Sequence, residues 1–322
     1  MNLIMESTTT FRDKIWDNVR HAVGVPVGLR REIANYEQRM RIGDLEPVGS
    51  VLRNVPSWHE WAHEPLENFV PGLYQRDDGT LRGVRFEGGV ESIVTVSCTA
   101  LATFGRERLV EGWLCDIRDI AGLSAGKCEP GRFDTLDAMA IERCPDYILD
   151  ISPNNLSKML DHYEIRIFNS ETCDHFVQHE WDGRVFLSNA GGAHHFAAAR
   201  YIAGQLGQQV PIRGRLYVCS LNAGAVRDLV REFEMFVVGE TQDSRGLAGW
   251  KMLRAIAAMG SPYFYRMLPA PHSEKTAILL PRENRRAMAA ARALRAGGIV
   301  DLGAYLLDLV SRQETSAATT AT

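Results

Sequence analysis

Hydrophobic and polar positions change their period several times along the 322-residue chain, and each change marks an expected element. Phe11, Ile15, Val19 and Ala22 recur at the spacing of one helical face, and Leu29 to Met40 continues as a second, more charged helix. Between residues 48 and 89 the turn formers Pro56, Pro65, Pro71-Gly72, Asp77-Asp78-Gly79 and Gly88-Gly89 break the chain into short pieces. Asp78-Gly79 predicts a β-hairpin with Leu73-Tyr74 and Val84-Arg85-Phe86 on its arms. The β-branched run Ser92 to Ser97 reads as a buried strand, whereas Leu109 to Ile117 is compatible with helix or strand.

From residue 146 the pattern alternates between strand, loop and helix. Asp146 to Ile151 reads as a strand, with Ser152 as N-cap and Pro153 at the first position of a helix through Leu156, Met159 and Leu160. Ile165 to Phe168, Arg184 to Ser188 and Arg215 to Cys219 are further expected strands. Phe196, Ala199, Ile202, Ala203 and Leu206 make one helical face, and a helix is expected from Val226 to Phe236. Helices over Leu247–Met259, Arg282–Ala296 and Leu302–Val310 follow, and the tail from Glu314 has nothing to bury and is expected to be disordered. The expected fold class is α/β (α+β). A central mixed sheet with helices over 146–240 is flanked by an α+β region over 1–145, helical at its start, and a helical region over 241–313.

Composition narrows the class further. With 45% hydrophobic and 24% charged residues the chain is a folded globular protein, and a net charge of -4 gives no global reason to expect a polyanion. No apolar stretch approaches the roughly 20 residues that span a bilayer, and Met1 to Thr8 carries no basic segment, so a cytoplasmic protein without a membrane partner is expected. Six cysteines without a CxxC pair predict reduced thiols rather than a disulfide framework or zinc ribbon.

The segment that draws attention is Phe186-Leu187-Ser188-Asn189-Ala190-Gly191-Gly192-Ala193-His194-His195, a strand running through two glycines into an alanine-rich helix. Unpaired N–H groups and the positive dipole end of such a helix suit an anion, and glycines let a ligand approach the backbone. Gly191 to Ala198 resembles the Gly-Gly-Cys-His-Arg-Tyr segment of the ParB/sulfiredoxin-like superfamily, and Gln209-Val210-Pro211-Ile212 resembles the strand that follows it. Ile151 to Leu156 is similar to the strand-to-helix entry of ParB domains. Ala193 stands where sulfiredoxin has its catalytic cysteine, and His195 stands where the superfamily usually has arginine.

The resemblance implies a loop that holds nucleotide phosphates, in proteins that act as NTPases, phosphotransferases or DNA-associated switches. Phosphate binding is carried to Gly191, Gly192 and His194, and extended to His195 and Arg200. The expected function is therefore nucleotide binding, with phosphotransferase or NTPase chemistry on a nucleoside triphosphate with magnesium. His194 is the expected catalytic histidine, and Asp174, Glu180 or Asp182 would position the metal or activate an acceptor. The alternative is a protein that binds DNA or nucleotide without turnover.

Other patterns compete. Five of the nine histidines lie between His162 and His195, and His175 and His179, near Cys173 and Asp174, have spacings that could bind zinc. His59-Glu60-Trp61-Ala62-His63 fits the His-Glu-x-x-His pattern of metal-dependent hydrolases, although Pro65 leaves its helix little length. Arg282, Arg285, Arg286, Arg292 and Arg295 share one predicted helix with only Glu283 against them, a face for nucleic acid or an acidic protein or simply a solvated surface.

Overall fold

The computed structural model describes residues 26–36, 41–47, 49–63, 79–127, 129–168, 172–239, 242–243 and 246–320. The helix expected over residues 11–22 and the hairpin arm Leu73-Tyr74 lie outside them. In chain order the strands are β1 (Thr80–Glu87), β2 (Val90–Ser97), β3 (Gly105–Asp116), β4 (Ile120–Leu123), β5 (His175–His179), β6 (Val185–Ser188), β7 (Pro211–Leu221), β8 (Phe233–Gly239), β9 (Gln242–Asp243), β10 (Gly246–Leu247), β11 (Tyr263–Met267), β12 (Lys275–Pro281) and β13 (Val300–Asp301). The helices are α1 (Val27–Ala34), α2 (Thr99–Ala102), α3 (Leu136–Arg143), α4 (Pro153–Leu160), α5 (Ala193–Leu206), α6 (Ala223–Glu232), α7 (Ala248–Ala258), α8 (Arg285–Ala296) and α9 (Leu302–Thr320). The fold is α/β. It divides into two units, neither contiguous in sequence: Met1–Leu45, Glu60–Phe104 and Ala223–Asp308 form one, and Glu46–His59, Gly105–Asn222 and Leu309–Thr322 the other.

The first unit is built on a six-stranded antiparallel sheet, β13-β8-β12-β11-β1-β2. Strands β1 and β2 form a hairpin that turns at Gly88-Gly89. Both turn residues have positive φ (58° and 85°), as a two-residue turn with the twist of the flanking strands requires. The Ser92–Ser97 segment is a strand as expected, but an exposed one, because β2 is the sheet edge. The three helices expected after residue 241 form as α7, α8 and α9, and the strands β11, β12 and β13 between them belong to this sheet. The helix expected from Val226 to Phe236 ends at Glu232 and gives way to β8, where six consecutive residues from Phe233 to Val238 are buried. Phe236, Val238, Ile278 and Leu280 pack with Met252 and Ile256 of α7 and Ala287, Ala291 and Leu294 of α8. Glu234, buried in β8, is held between Arg282 (2.9 Å) and Arg295 (2.6 Å). The helix of residue 302 onward runs to Thr320 instead of giving way to disorder at Glu314.

The second unit carries a five-stranded mixed sheet, β3-β7-β5-β6-β4, in which β5 is parallel to β7 and antiparallel to β6, and β4 is parallel to β6. Leu109–Ile117 resolves as mostly strand, within β3. Asp146–Ile151 is not a strand but a 3-10 turn and an exposed segment, with Leu149 and Ile151 open to solvent. Arg166–Phe168 is likewise a 3-10 turn. The cap of α4 is as expected: Ser152 Oγ accepts the Asn155 N–H at 3.2 Å and Pro153 opens the helix. Helix α5 is buried at Ala193, Phe196, Ala197, Ala198, Ala199, Ile202 and Ala203, and packs against α3 and α4. Small side chains on most of its circumference permit that close approach.

Candidate functional site

Strand β6 ends at Ser188, and after four intervening residues the chain enters α5 at Ala193. The loop between them is fixed from below. Asn189 is buried; its Oδ1 accepts the Ala125 N–H (3.3 Å) and its Nδ2 donates to the carbonyls of Ala125 (3.2 Å) and Gly191 (2.9 Å). The Asn189 N–H donates to Ser124 Oγ (3.1 Å), and the Ala190 N–H donates to Asp174 Oδ1 (2.9 Å). Gly192 has φ +70°, and a Cβ there would lie 2.7 Å from the Glu164 carbonyl oxygen. Conformation and space both demand glycine at this position.

The first turn of α5 lines a pocket of about 480 Å³. Gly192 offers no side-chain cap, so the N-terminal end of the helix keeps its positive dipole character on that side. Lys127, Arg166 and Glu164 also line the pocket, with Lys127 Nζ 3.8 Å from Glu164 Oε1. One wall is a stack of rings. His195 lies on Tyr147 (centroids 4.6 Å, 27°) and on His162 (3.5 Å, 10°). Tyr163, 81% exposed, adjoins His162 at 4.7 Å. Burial lowers the pKa of His194 and His195; Lys127 and Arg143 add to the effect at His194, and His162 at His195. The ligand atoms of His162, Glu164 and His195 lie within 4.8 Å of one another, a group able to hold a metal ion.

The expected site residues separate. Gly191, Gly192, His194 and His195 line the pocket. Asp174, 3% exposed, supports the loop through Ala190, and desolvation raises its pKa. Glu180 and Asp182 lie at the β5–β6 turn, and the antiparallel register His175↔Ser188 places the glycine loop at the other end of those strands. Asp182 there pairs with Arg184 at 2.9 Å. Arg200 turns away from the pocket: its guanidinium donates to the carbonyls of Ile120 (3.1 Å) and Arg118 (3.0 Å) and pairs with Asp137. Lys127, Tyr147, His162, Glu164 and Arg166, all in turns or loops, complete the pocket. The only sequence signal for any of these five is the histidine density around His162.

His175 and His179 do not form a pair. They occupy the two ends of β5, about 13 Å apart at strand rise. His175 Nδ1 contacts the Cys173 carbonyl instead (2.9 Å). His179 meets His59 and Cys219, their ligand atoms within 4.8 Å of one another. Desolvation lowers the His179 pKa to about 3. The His59–His63 segment forms one 3-10 turn, Trp58–Glu60, rather than the helix a His-Glu-x-x-His site needs, and His63 is not in that group. The arginine helix is partly committed inside its own unit, since Arg282 and Arg295 hold Glu234 and Arg286 donates to the Gly260 carbonyl (3.4 Å).

A family model matches residues 110–319, nearly two thirds of the chain, and spans the glycine loop, His179 and Cys219. The chain belongs to the Family of unknown function (DUF6685). His59 and the hairpin β1–β2 precede the region that matches DUF6685. No curated protein and no solved structure matches the chain. No helix among the described residues is long and apolar enough to cross a membrane. Among those residues Cys98, Cys115, Cys144, Cys173 and Cys219 are thiols outside any disulfide.

Proposed function

We propose that this DUF6685 protein binds a nucleotide in the pocket at the start of α5, with the phosphates at Gly191–His195. The observation that carries the reading is the meeting, in one pocket, of a helix N-terminus, two cationic side chains and an exposed aromatic ring. The first-turn N–H groups and the Lys127 and Arg166 charges suit phosphate oxygens, and burial favours the neutral imidazoles of His194 and His195, a form that carries one N–H donor. Tyr163 offers a face on which a base can stack, a contact worth about 1–3 kcal/mol per base. The resemblance of Gly191–Ala198 to the ParB/sulfiredoxin-like loop supports the same assignment.

Phosphotransfer or NTP hydrolysis is the second reading, and one observation favours it: Glu164, His162 and His195 could hold a divalent ion beside the bound phosphates. The carboxylates expected for that task, Asp174, Glu180 and Asp182, are engaged or distant. Calorimetric titration with nucleoside triphosphates and with inorganic phosphate tests the reading. A nucleotide should bind more tightly than phosphate, and Tyr163→Ala should erase most of that difference. Equal binding of phosphate and every nucleotide would remove the base-binding half of the assignment.

A further inference from the structure

The second histidine cluster is separate from the pocket and takes no part in the nucleotide reading. It brings together three segments far apart in the chain. His179 ends β5 and Cys219 lies on β7, paired in register across the parallel strands, so their side chains leave the same face of the sheet. The Glu180 N–H donates to the Cys219 carbonyl at 3.0 Å and fixes that pairing. His59 comes from the 3-10 turn Trp58–Glu60, whose backbone lies against Gly105; a Cβ at Gly105 would stand 2.1 Å from the His59 carbonyl oxygen. The absent side chain at Gly105 therefore lets His59 reach the sheet. Its ring sits 5.6 Å from that of His179, and Trp181 closes the side at 5.1 Å from His179.

We infer that His59, His179 and Cys219 form a binding site for a zinc-type transition-metal ion, held by two imidazoles and one thiolate. His179 is 2% exposed, yet its Nδ1 has no hydrogen-bond partner among the described residues. Buried polar atoms are normally partnered, and a ligand that accepts the imidazole lone pair explains this one. Two imidazoles and a thiolate are the donor set of a borderline-soft cation, not of magnesium or calcium. Zinc ligands at about 2.0–2.3 Å lie about 3.3–3.8 Å from one another in a tetrahedron, so ligand atoms now within 4.8 Å need side-chain adjustments of about an ångström. On binding, Cys219 releases its thiol proton to solvent and the sulfur forms the metal bond. No fourth histidine, cysteine or carboxylate belongs to the group among the described residues, which leaves one coordination position for water.

The test uses the full-length purified protein and cobalt(II) as probe, with zinc as competitor. One equivalent of cobalt should bind with a thiolate-to-cobalt charge-transfer band, and zinc should displace it. Cys219→Ala should abolish the band, and His59→Ala, on a turn rather than in the sheet, should weaken cobalt binding at least tenfold with the circular dichroism unchanged. His162→Ala, in the pocket cluster, should leave the band intact. Absence of a charge-transfer band, its persistence in Cys219→Ala, or its loss in His162→Ala would each overturn the assignment.

Discussion

Asp174 Oδ1 accepts the backbone N–H of Ala190 at 2.9 Å, and this one bond ties the start of β5 to the loop that opens the pocket. Asp174 is buried and its pKa is raised by desolvation, so its charge is a cost that the loop geometry requires only in part. Asp174→Asn keeps an oxygen acceptor without the charge and should be as stable as the native protein or more so at neutral pH. Asp174→Ala leaves Ala190 unpaired and should lose about 1–3 kcal/mol, read by denaturant unfolding.

The same residue gives a pH dependence. A carboxyl whose folded pKa lies above its unfolded value of 3.8 binds its proton more tightly in the folded state. Its contribution is fully present below that unfolded value and is lost as the pH rises through the folded pKa. The stability advantage of Asp174→Asn should therefore be largest at neutral pH and shrink as the pH falls toward the ordinary carboxyl value of about 4. Unfolding curves of both proteins across that range check it; an advantage that grows on acidification would be the wrong sign.

Gly192 joins β6 to α5 at φ +70°, with the Glu164 carbonyl crowding the place a Cβ would take. Gly192→Ala should cost at least about 1–2 kcal/mol from the left-handed backbone alone, and the close approach adds to it. At Gly191 a Cβ would meet no atom nearer than 3.7 Å, so alanine should be accepted there at far lower cost. Paired melting curves of the two variants would show the contrast.

Arg200 is a structural residue. Removing it leaves the Ile120 and Arg118 carbonyls without their donor, so Arg200→Ala should destabilise by about 1–3 kcal/mol while ligand affinity per folded molecule stays unchanged. A large loss of affinity in a variant that remains folded would return Arg200 to the site.

Ile93 is 88% exposed on edge strand β2. Ile93→Lys should alter stability by no more than about 0.5 kcal/mol, and a charge there guards an open edge against self-pairing. Equal or greater light scattering by the variant than by the native chain during heating would contradict that role.

What the sequence made legible was local. Ser152 and Pro153 mark their helix start because cap chemistry involves only neighbouring residues, and the passage from β6 through two glycines into α5 was visible for the same reason. Phe233 to Phe236 reads as the end of a helix because a strand buried on both faces has no alternation to betray it. Asp146 to Ile151 fails in the opposite direction, an apolar run that is left at the surface. Site residues follow this division. The glycine loop can be read from its own chemistry, but Glu180 and Asp182, close in sequence, are carried to the far end of a hairpin. His59, more than a hundred residues earlier, arrives beside His179 through tertiary packing that no spacing rule contains.

The most direct test of the nucleotide assignment is thermal unfolding with ATP, CTP or GTP, each with magnesium, for the native chain and for Lys127→Ala and His194→Ala. A nucleotide present at about 100 times its dissociation constant should stabilise the native protein by about 2.7 kcal/mol, and both variants should reduce that gain. No shift with any nucleotide, or a shift that neither substitution touches, would contradict a phosphate site at the start of α5.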